Sequence, residues 1–447
     1  MKYKSSQYNI WKKRNEGTLL YNTFSTGLIE LQGADGKLIE NAFERREFDV
    51  LSERFITVLR DNGFILAEQI DELSLVKYRY RVNAYDGSVL GVSLLPTTDC
   101  NFKCPYCFEH ANDNAYMNDN DQNQVLAFIE NEFKGNSVKS FEYGWYGGEP
   151  LLAVPVIKNL SQGIKKLCER YTISLGKQWM ITNGYFLDDD LAKTLKSIDI
   201  ESIQISLDGD KGEHEKSRLS KDGSPTFDRL MDAIRIASDY FNEVAVRFNV
   251  TRKTIGSVRE LIEREDIFSK KNVKPSLGML KCYLGSNCDA EADIDMFKGT
   301  EIIKLQWDFD KYARKRRNEG LNHDLFQFPV KASSCSSDRL KSFILGPQRK
   351  IYKCIEHVSV GDEVGYINNG AFKPRPEYWK WIVNEPFDNQ YCRECTYLPV
   401  CMGGCPSIRE RIGVPNDEVC GYWKEWINCK LEEINGTNAI MKGGDFH

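Results

Sequence analysis

The sequence predicts an α/β fold, a partial (β/α)6 barrel or open parallel sheet, with a small α+β domain before it and a cysteine-rich domain after it. Three observations lead to this prediction. Between about residues 90 and 285, six apolar runs of strand length alternate with amphipathic helical patterns. The first 90 residues contain no cysteine, whereas eight of the 14 cysteines follow residue 331.

Length and composition limit the classes of protein that fit. A chain of 447 residues suggests about three domains, and 41% apolar residues are enough for packed cores. The net charge of −5 gives no reason to expect a nucleic-acid partner. No apolar run approaches a membrane span and no signal peptide is evident, so we expect a cytoplasmic protein without a membrane partner. In that compartment, 14 cysteines indicate metal ligands rather than disulfides.

The first 90 residues predict a small β-rich domain with a helix, of winged-helix size. Seven acidic residues between Glu47 and Glu72 would repel phosphate, which disfavours DNA binding. The helix is predicted from apolar residues at helical spacing, namely Phe48, Leu51, Phe55, Val58 and Leu59, with Gly63 ending it. The strand-like runs are Tyr8–Trp11, Thr18–Phe24 and Leu28–Leu31.

The central region predicts parallel strands joined by crossover helices. Functional groups should lie at the carboxyl ends of the strands, by analogy with complete βα barrels. Cys168 falls on the apolar stripe of a helical pattern, which indicates core packing. The predicted strands are Val92–Thr98, Phe141–Tyr146, Trp179–Thr182, Ile203–Leu207, Val244–Val250 and Ser276–Leu280.

Three cysteines, Cys100, Cys104 and Cys107, follow the first predicted strand at C-x3-C-x2-C spacing. Three thiolates can hold three corners of an iron–sulfur cube, whereas a structural zinc site needs a fourth ligand nearby. One iron would then be open to a chelating small molecule. A zinc knuckle is the alternative at this point.

Polar residues also follow the later strands. The second strand ends in Gly147-Gly148-Glu149-Pro150, where glycines allow close backbone approach and a carboxylate suits an ammonium group. Thr182-Asn183-Gly184, Ser206-Leu207-Asp208-Gly209 and Arg247-Phe248-Asn249 end the next three. They should converge on one mouth of the sheet, although Asn-Gly and Asp-Gly are also ordinary turn dipeptides.

Two features together resemble the signature of radical S-adenosylmethionine (radical SAM) enzymes. They are the cysteine loop, with an aromatic Tyr106 before its last cysteine, and the Gly-Gly-Glu turn. The longer form Trp145–Leu152 resembles the peptide-maturase branch of that family. The resemblance implies that the amino and carboxylate groups of SAM bind the open iron. It also implies cofactor contacts by Tyr106, Gly147, Gly148, Glu149, Pro150, Ser206, Arg218 and Asn249, with Ser206 near the ribose or carboxylate.

The C-terminal region places Cys392, Cys395, Cys401 and Cys405 within 14 residues. Four cysteines with C-x2-C spacing are often structural zinc ligands, which is the alternative here. With Cys335, Cys354 and Cys420, however, the block resembles the SPASM domain, which binds two auxiliary 4Fe–4S clusters. The resemblance implies that Cys335, Cys354 and Cys405 hold the first auxiliary cluster and that Cys392, Cys395, Cys401 and Cys420 hold the second.

Two departures from that pattern stand out. Arg349 occupies the position, five residues before Cys354, where the family usually has glycine, so the turn must differ. The first auxiliary cluster has only three evident ligands, and the fourth is either a cysteine outside the pattern or a substrate thiol. Cys429 is an alternative to Cys420 as last ligand. Cys282 and Cys288 are expected to be spare thiols.

The resemblance implies four regions: a leader-peptide recognition domain (1–90), a radical SAM core (91–285), a helical bridge (286–330) and a SPASM domain (331–447). In the family, a leader peptide adds as a strand to a sheet edge. The implied enzyme cleaves SAM to methionine and a 5′-deoxyadenosyl radical. It then joins a cysteine sulfur to a carbon in a ribosomally made peptide, and a flavodoxin- or ferredoxin-type donor supplies electrons. The thioether would be of the sactionine type.

Three alternatives remain from the sequence. They are a carbon–carbon crosslinking peptide cyclase, an anaerobic sulfatase-type maturase that forms formylglycine, and a binding protein with zinc-filled cysteine knuckles. No general base stands out among the many Asp and Glu residues.

Overall fold

The computed structural model describes residues 2–107, 109, 113–135, 137–279, 300–319, 335–358, 361–407, 409 and 417–434. The chain divides into two compact units. The terminal unit comprises Met1–Tyr85, Leu321–Arg339 and Val383–His447, and the sheet unit comprises Asp86–Gly320 and Leu340–Ile382. Cys282 and Cys288 lie outside the described residues.

The N-terminal part of the terminal unit contains the three predicted strands, which form an antiparallel sheet of order β2-β3-β4, and a separate β1–β5 pair. The predicted helix is present but begins later than predicted, because Ser52 caps it by accepting a hydrogen bond from Phe55 N at 3.5 Å. Phe48 and Leu51 therefore precede the helix, and both are buried. The elements are β1 Tyr3–Ser5, β2 Asn9–Arg14, β3 Gly17–Asn22, β4 Leu28–Leu31, α1 Gly33–Arg45, α2 Glu53–Asp61, β5 Ile65–Ala67 and α3 Glu72–Ala84.

Strand β3 is buried on both faces. Leu20 packs into a core formed with α1 and α2. Leu19 and Tyr21 point the other way and pack with Val400 and Ile427, which belong to the C-terminal part of the same unit. This explains why the Leu19-Leu20-Tyr21 run is apolar throughout rather than alternating.

The sheet unit contains all six predicted strands, and they are parallel to their neighbours. They form part of a ten-stranded sheet in which β6 to β11 are ordered consecutively. The predicted barrel-like α/β fold is confirmed. The elements are β6 Val89–Leu94, α4 Asp119–Lys134, β7 Ser140–Trp145, α5 Val154–Tyr171, β8 Ser174–Thr182, α6 Asp189–Ser197, β9 Ile200–Leu207, α7 Lys211–Ser217, α8 Phe227–Tyr240, β10 Glu243–Val250, α9 Ile255–Arg264 and β11 Val273–Met279.

Strand alternation separates the core from a functional face. On β9, Ile203, Ile205 and Leu207 are buried, whereas Ser206 on the opposite face is half-buried. Strand β10 repeats this pattern, since its valines are buried and Arg247 and Asn249 are half-buried. Cys168 is buried in α5, as predicted for a core residue.

The remaining elements of the sheet unit extend the same sheet. Strand β12 pairs in parallel with β6, and β13 to β15 follow as an antiparallel meander. Of the predicted bridge, residues 300–319 are described; they contain α10, in which Gln306 Nε2 donates to Leu277 O at 3.1 Å. The division into four functional regions stays a prediction. The elements are α10 Glu301–Arg316, β12 Ser342–Leu345, β13 Lys350–Tyr352, β14 Gly365–Asn368, β15 Ala371–Pro374 and α11 Pro376–Val383.

The C-terminal part of the terminal unit is helical and carries most of the late cysteines. Its helices are α12 Gln390–Glu394, α13 Leu398–Cys401 and α14 Asp417–Glu433. Within the described part of the chain, no helix combines the length and the apolar character needed to cross a membrane.

Candidate active site

The first cysteine loop lies at the carboxyl end of β6. Cys104 is buried, and Cys100 and Cys107 are half-buried. The loop folds back on itself, since Cys107 N donates to Cys104 O at 3.1 Å and Phe102 N approaches Cys100 Sγ at 3.4 Å. The structure therefore gathers the three predicted thiols on one short loop at the end of the sheet where function was expected.

The Gly-Gly-Glu turn supports this loop from one side. Gly147 has φ +124°, and a Cβ there would lie 2.3 Å from Thr97 O. A Cβ on Gly148 would lie 2.2 Å from Asp99 O. Glu149 N donates to Asp99 O at 2.8 Å, and Asp99 Oδ1 accepts from Cys100 N at 2.9 Å. Both glycines are needed because the two loops meet backbone to backbone.

A second segment holds the loop from the other side. Lys103 N donates to Leu219 O and Lys221 N donates to Asn101 O, each at 2.8 Å. Lys221 Nζ also pairs with Asp99 Oδ1 at 2.9 Å. The backbone around the thiols is thus fixed by strand-like contacts on both sides.

Glu149 is fully buried and joins the ends of β7 and β8. Its carboxylate accepts from Leu151 N at 3.0 Å, Thr182 Oγ1 at 2.5 Å and Asn183 N at 2.7 Å. Burial raises the pKa of Glu149, and these hydrogen bonds oppose the rise. Asn183 continues to the cysteine loop, because its Nδ2 donates to Asn101 Oδ1 at 2.7 Å. Pro150 is buried in the turn that follows.

Tyr106, Arg218 and Asn249, predicted as cofactor contacts, meet at Asp208. Tyr106 donates its hydroxyl hydrogen to Asp208, and Arg218 Nη1 donates to the Tyr106 oxygen at 2.9 Å. Asn249 Nδ2 donates to Asp208 Oδ1 at 3.2 Å, and Ser217 Oγ donates to Oδ2 at 2.7 Å. Burial raises the pKa of Tyr106, so the phenol stays protonated.

Ser206 lies two residues before Asp208 and shares the half-buried face with its register partner Arg247. The sequence analysis assigned no role to Asp208, Thr182 or Asn183, although all three stand at strand ends in the short polar segments that it singled out. Their position directly after an apolar strand could have indicated a functional role. However, Asn-Gly and Asp-Gly dipeptides are also common in ordinary turns, which explained the same residues equally well.

Burial keeps the three thiols protonated while no metal is bound. Burial raises the pKa of Cys100 and Cys107 to about 12, with Glu149 and Glu109 adding to the rise. Burial also raises the pKa of Cys104, but the Arg218 guanidinium opposes it. Arg218 Nε is buried and has no hydrogen-bond partner among the described residues. Metal binding would deprotonate such thiols, and the free donor beside them fits an anionic ligand.

The terminal unit brings together the four cysteines predicted for the second auxiliary cluster. Burial raises the pKa of Cys401 to about 12, and the charges of Cys395, Cys392 and Cys420 add to that rise. Cys395 N donates to Cys392 O at 3.1 Å. Across the described residues, no three His, Cys, Asp or Glu side chains are arranged to hold one metal ion.

Cys420 and Cys429, the two alternatives for the last ligand, have different surroundings. Burial raises the pKa of Cys392, and the charges of Cys395 and Cys420 add to that rise. The charge of Cys420 also adds to the rise in the pKa of Cys401. Cys429 is buried in α14, and its Sγ lies 4.0 Å from Glu425 Oε1.

The cysteines predicted for the first auxiliary cluster lie in both units. An ion pair within the terminal unit connects the segments of two of them, because Arg409 Nη2 binds Asp338 Oδ1 at 2.8 Å. Asp338 N donates to Cys335 O at 3.2 Å, and Arg409 N donates to Cys405 O at 2.9 Å. Cys354 follows β13 in the sheet unit.

The turn before Cys354 has left-handed backbone at two residues that are not glycine. Gln348 has φ +58° and Arg349 has φ +64°, so both adopt the left-handed conformation that favours glycine. The position thus keeps the backbone shape of a glycine while carrying an arginine.

Comparison with known proteins assigns the central region. Residues 94–264 match the family model described as the radical SAM superfamily. These residues form a radical SAM domain. A cysteine-type anaerobic sulfatase-maturating enzyme of Clostridium novyi is 23% identical over 367 residues, which span 76% of this chain and 94% of the relative.

Two solved structures share the fold. Native anSMEcpe with bound AdoMet and Cp18Cys peptide has a TM-score of 0.59 and 21% identity, covering 77% of this chain and 99% of that chain. SuiB of Streptococcus suis bound to precursor peptide SuiA has a TM-score of 0.50 and 16% identity, covering 93% of this chain and 98% of that chain. Both likenesses show a shared fold, and within it residues 94–264 form the radical SAM domain.

Proposed function

We propose that this enzyme is a peptide maturase that installs a thioether between a cysteine sulfur and a carbon of a ribosomally made precursor peptide. The observation that carries the proposal is the pairing of a radical SAM cysteine loop with a second, four-cysteine site beside an N-terminal domain. The likeness to SuiB, solved with a precursor peptide and covering 93% of this chain, supports a peptide substrate.

Cys100, Cys104 and Cys107 would hold the SAM-binding cluster. As the family resemblance implies, the residues that would contact SAM are Tyr106, Gly147, Gly148, Glu149, Pro150, Ser206, Arg218 and Asn249, and the hydrogen bonds of Tyr106, Arg218 and Asn249 around Asp208 support this assignment. When bound, the cluster and SAM supply the 5′-deoxyadenosyl radical that removes a hydrogen atom from the peptide. The protein contributes orientation: the glycine turn fixes the thiol loop, and Asp208 orders the tyrosine, arginine and asparagine around it.

Forming the thioether breaks one carbon–hydrogen bond and one sulfur–hydrogen bond and makes one carbon–sulfur bond. The peptide carbon loses a hydrogen atom to the adenosyl radical, the carbon radical bonds to the cysteine sulfur, and one proton and one electron leave. An auxiliary cluster would accept that electron. The proposed ligands are Cys392, Cys395, Cys401 and Cys420 for one such cluster and Cys335, Cys354 and Cys405 for the other. The product therefore keeps its sulfur, loses two hydrogens and has one fewer free thiol.

The leader peptide would add as a strand to the N-terminal sheet. Within the described residues, β2 and β4 are the edge strands of that sheet. The end of β2 already contacts the C-terminal helix, because Arg14 Nη2 donates to Leu431 O and Lys12 pairs with Glu432. We therefore assign the leader to the outer edge of β4.

An anaerobic sulfatase-type activity is the second candidate, and one observation favours it. The chain spans 94% of the Clostridium novyi sulfatase-maturating relative and 97% of one from Clostridium perfringens. A formylglycine product from cysteine would lose its sulfur. A carbon–carbon crosslink would lose two hydrogens but keep every free thiol. The radical SAM match over residues 94–264 argues against the third alternative, a zinc-knuckle binding protein.

The test uses full-length enzyme prepared without oxygen, with SAM, dithionite and a cysteine-containing peptide encoded beside its gene, with and without the leader segment. We expect 5′-deoxyadenosine, loss of two hydrogens and loss of one alkylatable thiol, only with the leader present. Cys104→Ala should abolish all three, whereas Cys168→Ala, a core cysteine outside the site, should retain them. Loss of sulfur from the product would refute the thioether assignment, and equal modification without the leader would refute leader recognition.

A further inference from the structure

The guanidinium of Arg247 lies on the functional face of β10 and has unused donors. Its Nε donates to Asn249 Oδ1 at 3.1 Å. Neither of its Nη atoms has a hydrogen-bond or ion-pair partner among the described residues. The register partners of Arg247 are Ser206 on β9 and Ser276 on β11, so the neighbouring strands place hydroxyls rather than carboxylates at this level. A half-buried cation with neutral neighbours is stabilised by an anionic ligand.

The sheet itself fixes the place of this guanidinium. A Cβ on Gly278 would lie 2.4 Å from Arg247 Nε and 2.9 Å from Arg247 Cζ. The arginine side chain therefore crosses β11 directly over Gly278, where any other residue would displace it. An arginine held in this way presents its remaining donors in a fixed plane, which suits the two oxygens of a carboxylate.

Asn249 separates Arg247 from the cysteine loop. Its amide donates from Nδ2 to Asp208 Oδ1 at 3.2 Å, and its Oδ1 accepts from Arg247. Asp208 in turn accepts from Tyr106 of the loop, so three hydrogen bonds connect the loop to Arg247. The carboxylate of SAM is expected at the open iron, beside the free donor of Arg218. A carboxylate at Arg247 would therefore belong to the other substrate.

We propose that Arg247 is a specificity-determining residue that binds a carboxylate of the substrate peptide. That carboxylate is either an Asp or Glu side chain near the modified residue or the C-terminus of the peptide. The inference rests on the proposed function in one respect, namely that the second substrate is a peptide. A bidentate contact fixes orientation as well as distance, so Arg247 would help to decide which peptide carbon faces the adenosyl radical.

The test is a double-mutant cycle between enzyme and peptide, carried out with full-length holoenzyme prepared without oxygen. The enzyme variant is Arg247→Gln, and the peptide is the precursor encoded beside the gene. In its core, each Asp is changed to Asn and each Glu to Gln, one at a time, and a further peptide carries a C-terminal amide. Peptide consumption, followed by mass spectrometry, gives KM, and equilibrium dialysis gives the affinity for SAM.

The matched control is Lys274→Gln. Lys274 also carries a positive charge on β11, but its Nζ is already paired with Glu243 Oε2 at 3.1 Å. Removing this charge should leave the KM for the peptide unchanged.

We expect Arg247→Gln to raise the KM for the unchanged peptide about tenfold or more, with the affinity for SAM preserved. One peptide change should raise the KM of the unmodified enzyme to the same extent. That change should have no further effect on Arg247→Gln, because the two substitutions remove the same contact. Additive effects of every peptide change would overturn the proposal, as would a loss of SAM affinity with an unchanged KM.

The mass of the product reports separately on the proposed function. A coupled effect on a peptide that loses its sulfur would support the role of Arg247 and overturn the thioether assignment. If the unmodified enzyme forms 5′-deoxyadenosine but does not consume the peptide, both proposals are overturned.

Discussion

Replacing Gly148 by alanine tests whether the glycine turn holds the thiol loop in place. The added Cβ would lie 2.2 Å from Asp99 O and 2.6 Å from Thr98 O, where ordinary contact begins at 3.4 Å. Both obstacles are backbone atoms immediately before Cys100, so no side chain can rotate away. The two loops must separate by roughly 1 Å, and overpacking of this kind costs about 1–3 kcal/mol.

The effect on activity should exceed the effect on stability. A displacement of about 1 Å in a catalytic group can cost about 100-fold in rate. We therefore expect Gly148→Ala to form 5′-deoxyadenosine about 100-fold more slowly while unfolding at a slightly lower denaturant concentration. The assay is anaerobic SAM cleavage followed by chromatography, with iron content measured on the same sample.

Gly256→Ala is the matched control. Gly256 lies in α9, and a Cβ there would meet nothing within 4 Å. The change should preserve activity and stabilise the helix by no more than about 1 kcal/mol. A SAM cleavage rate for Gly148→Ala equal to that of Gly256→Ala would refute the reasoning, because the close approach of the two loops would then have no functional role.

Three further predictions concern single residues. Asp208→Asn should weaken SAM binding about tenfold or more, because Tyr106 loses a charged hydrogen-bond acceptor. Equilibrium dialysis measures the affinity, and an unchanged affinity would contradict a role of Asp208 in ordering the SAM site. Arg349→Gly should raise the free energy of unfolding by about 1 kcal/mol in urea titration by relieving φ +64°, and a loss of stability would argue against strain there. Burial, with Arg218 adding, lowers the pKa of His214 to about 3. In the unfolded chain the imidazole binds a proton below about pH 6.5, whereas in the folded protein it does so only near pH 3. The free energy of unfolding should therefore decrease as the pH is lowered from about 6.5 to about 3, by up to about 1.4 kcal/mol per pH unit. His214→Gln should make this decrease smaller.

Local patterns in the sequence predicted the central architecture. The six strands and the cysteine loop at the end of β6 followed from apolar runs and thiol spacing, since both are set by near neighbours in the chain. The quartet of Cys392, Cys395, Cys401 and Cys420 came from family resemblance, and the structure gathers those thiols.

Contacts between distant segments were not predictable in this way. The core shared by β3 and α14 joins residues about 400 positions apart, and nothing in a local pattern specifies such a partner. The same contacts mean that removing residues 1–90 would strip the second cysteine site of its packing. Leader binding is therefore better tested by removing the leader from the peptide. Asp208 was missed because Asp-Gly has an ordinary turn explanation.

The most direct test of the account is the metal content of protein prepared without oxygen. Three four-iron clusters predict about twelve irons per chain, falling to about eight when Cys100, Cys104 and Cys107 are all replaced by alanine. Replacing Cys392, Cys395, Cys401 and Cys420 should remove a different set of about four irons and leave the SAM-binding cluster. One or two zinc ions per chain and no iron would contradict the central claim.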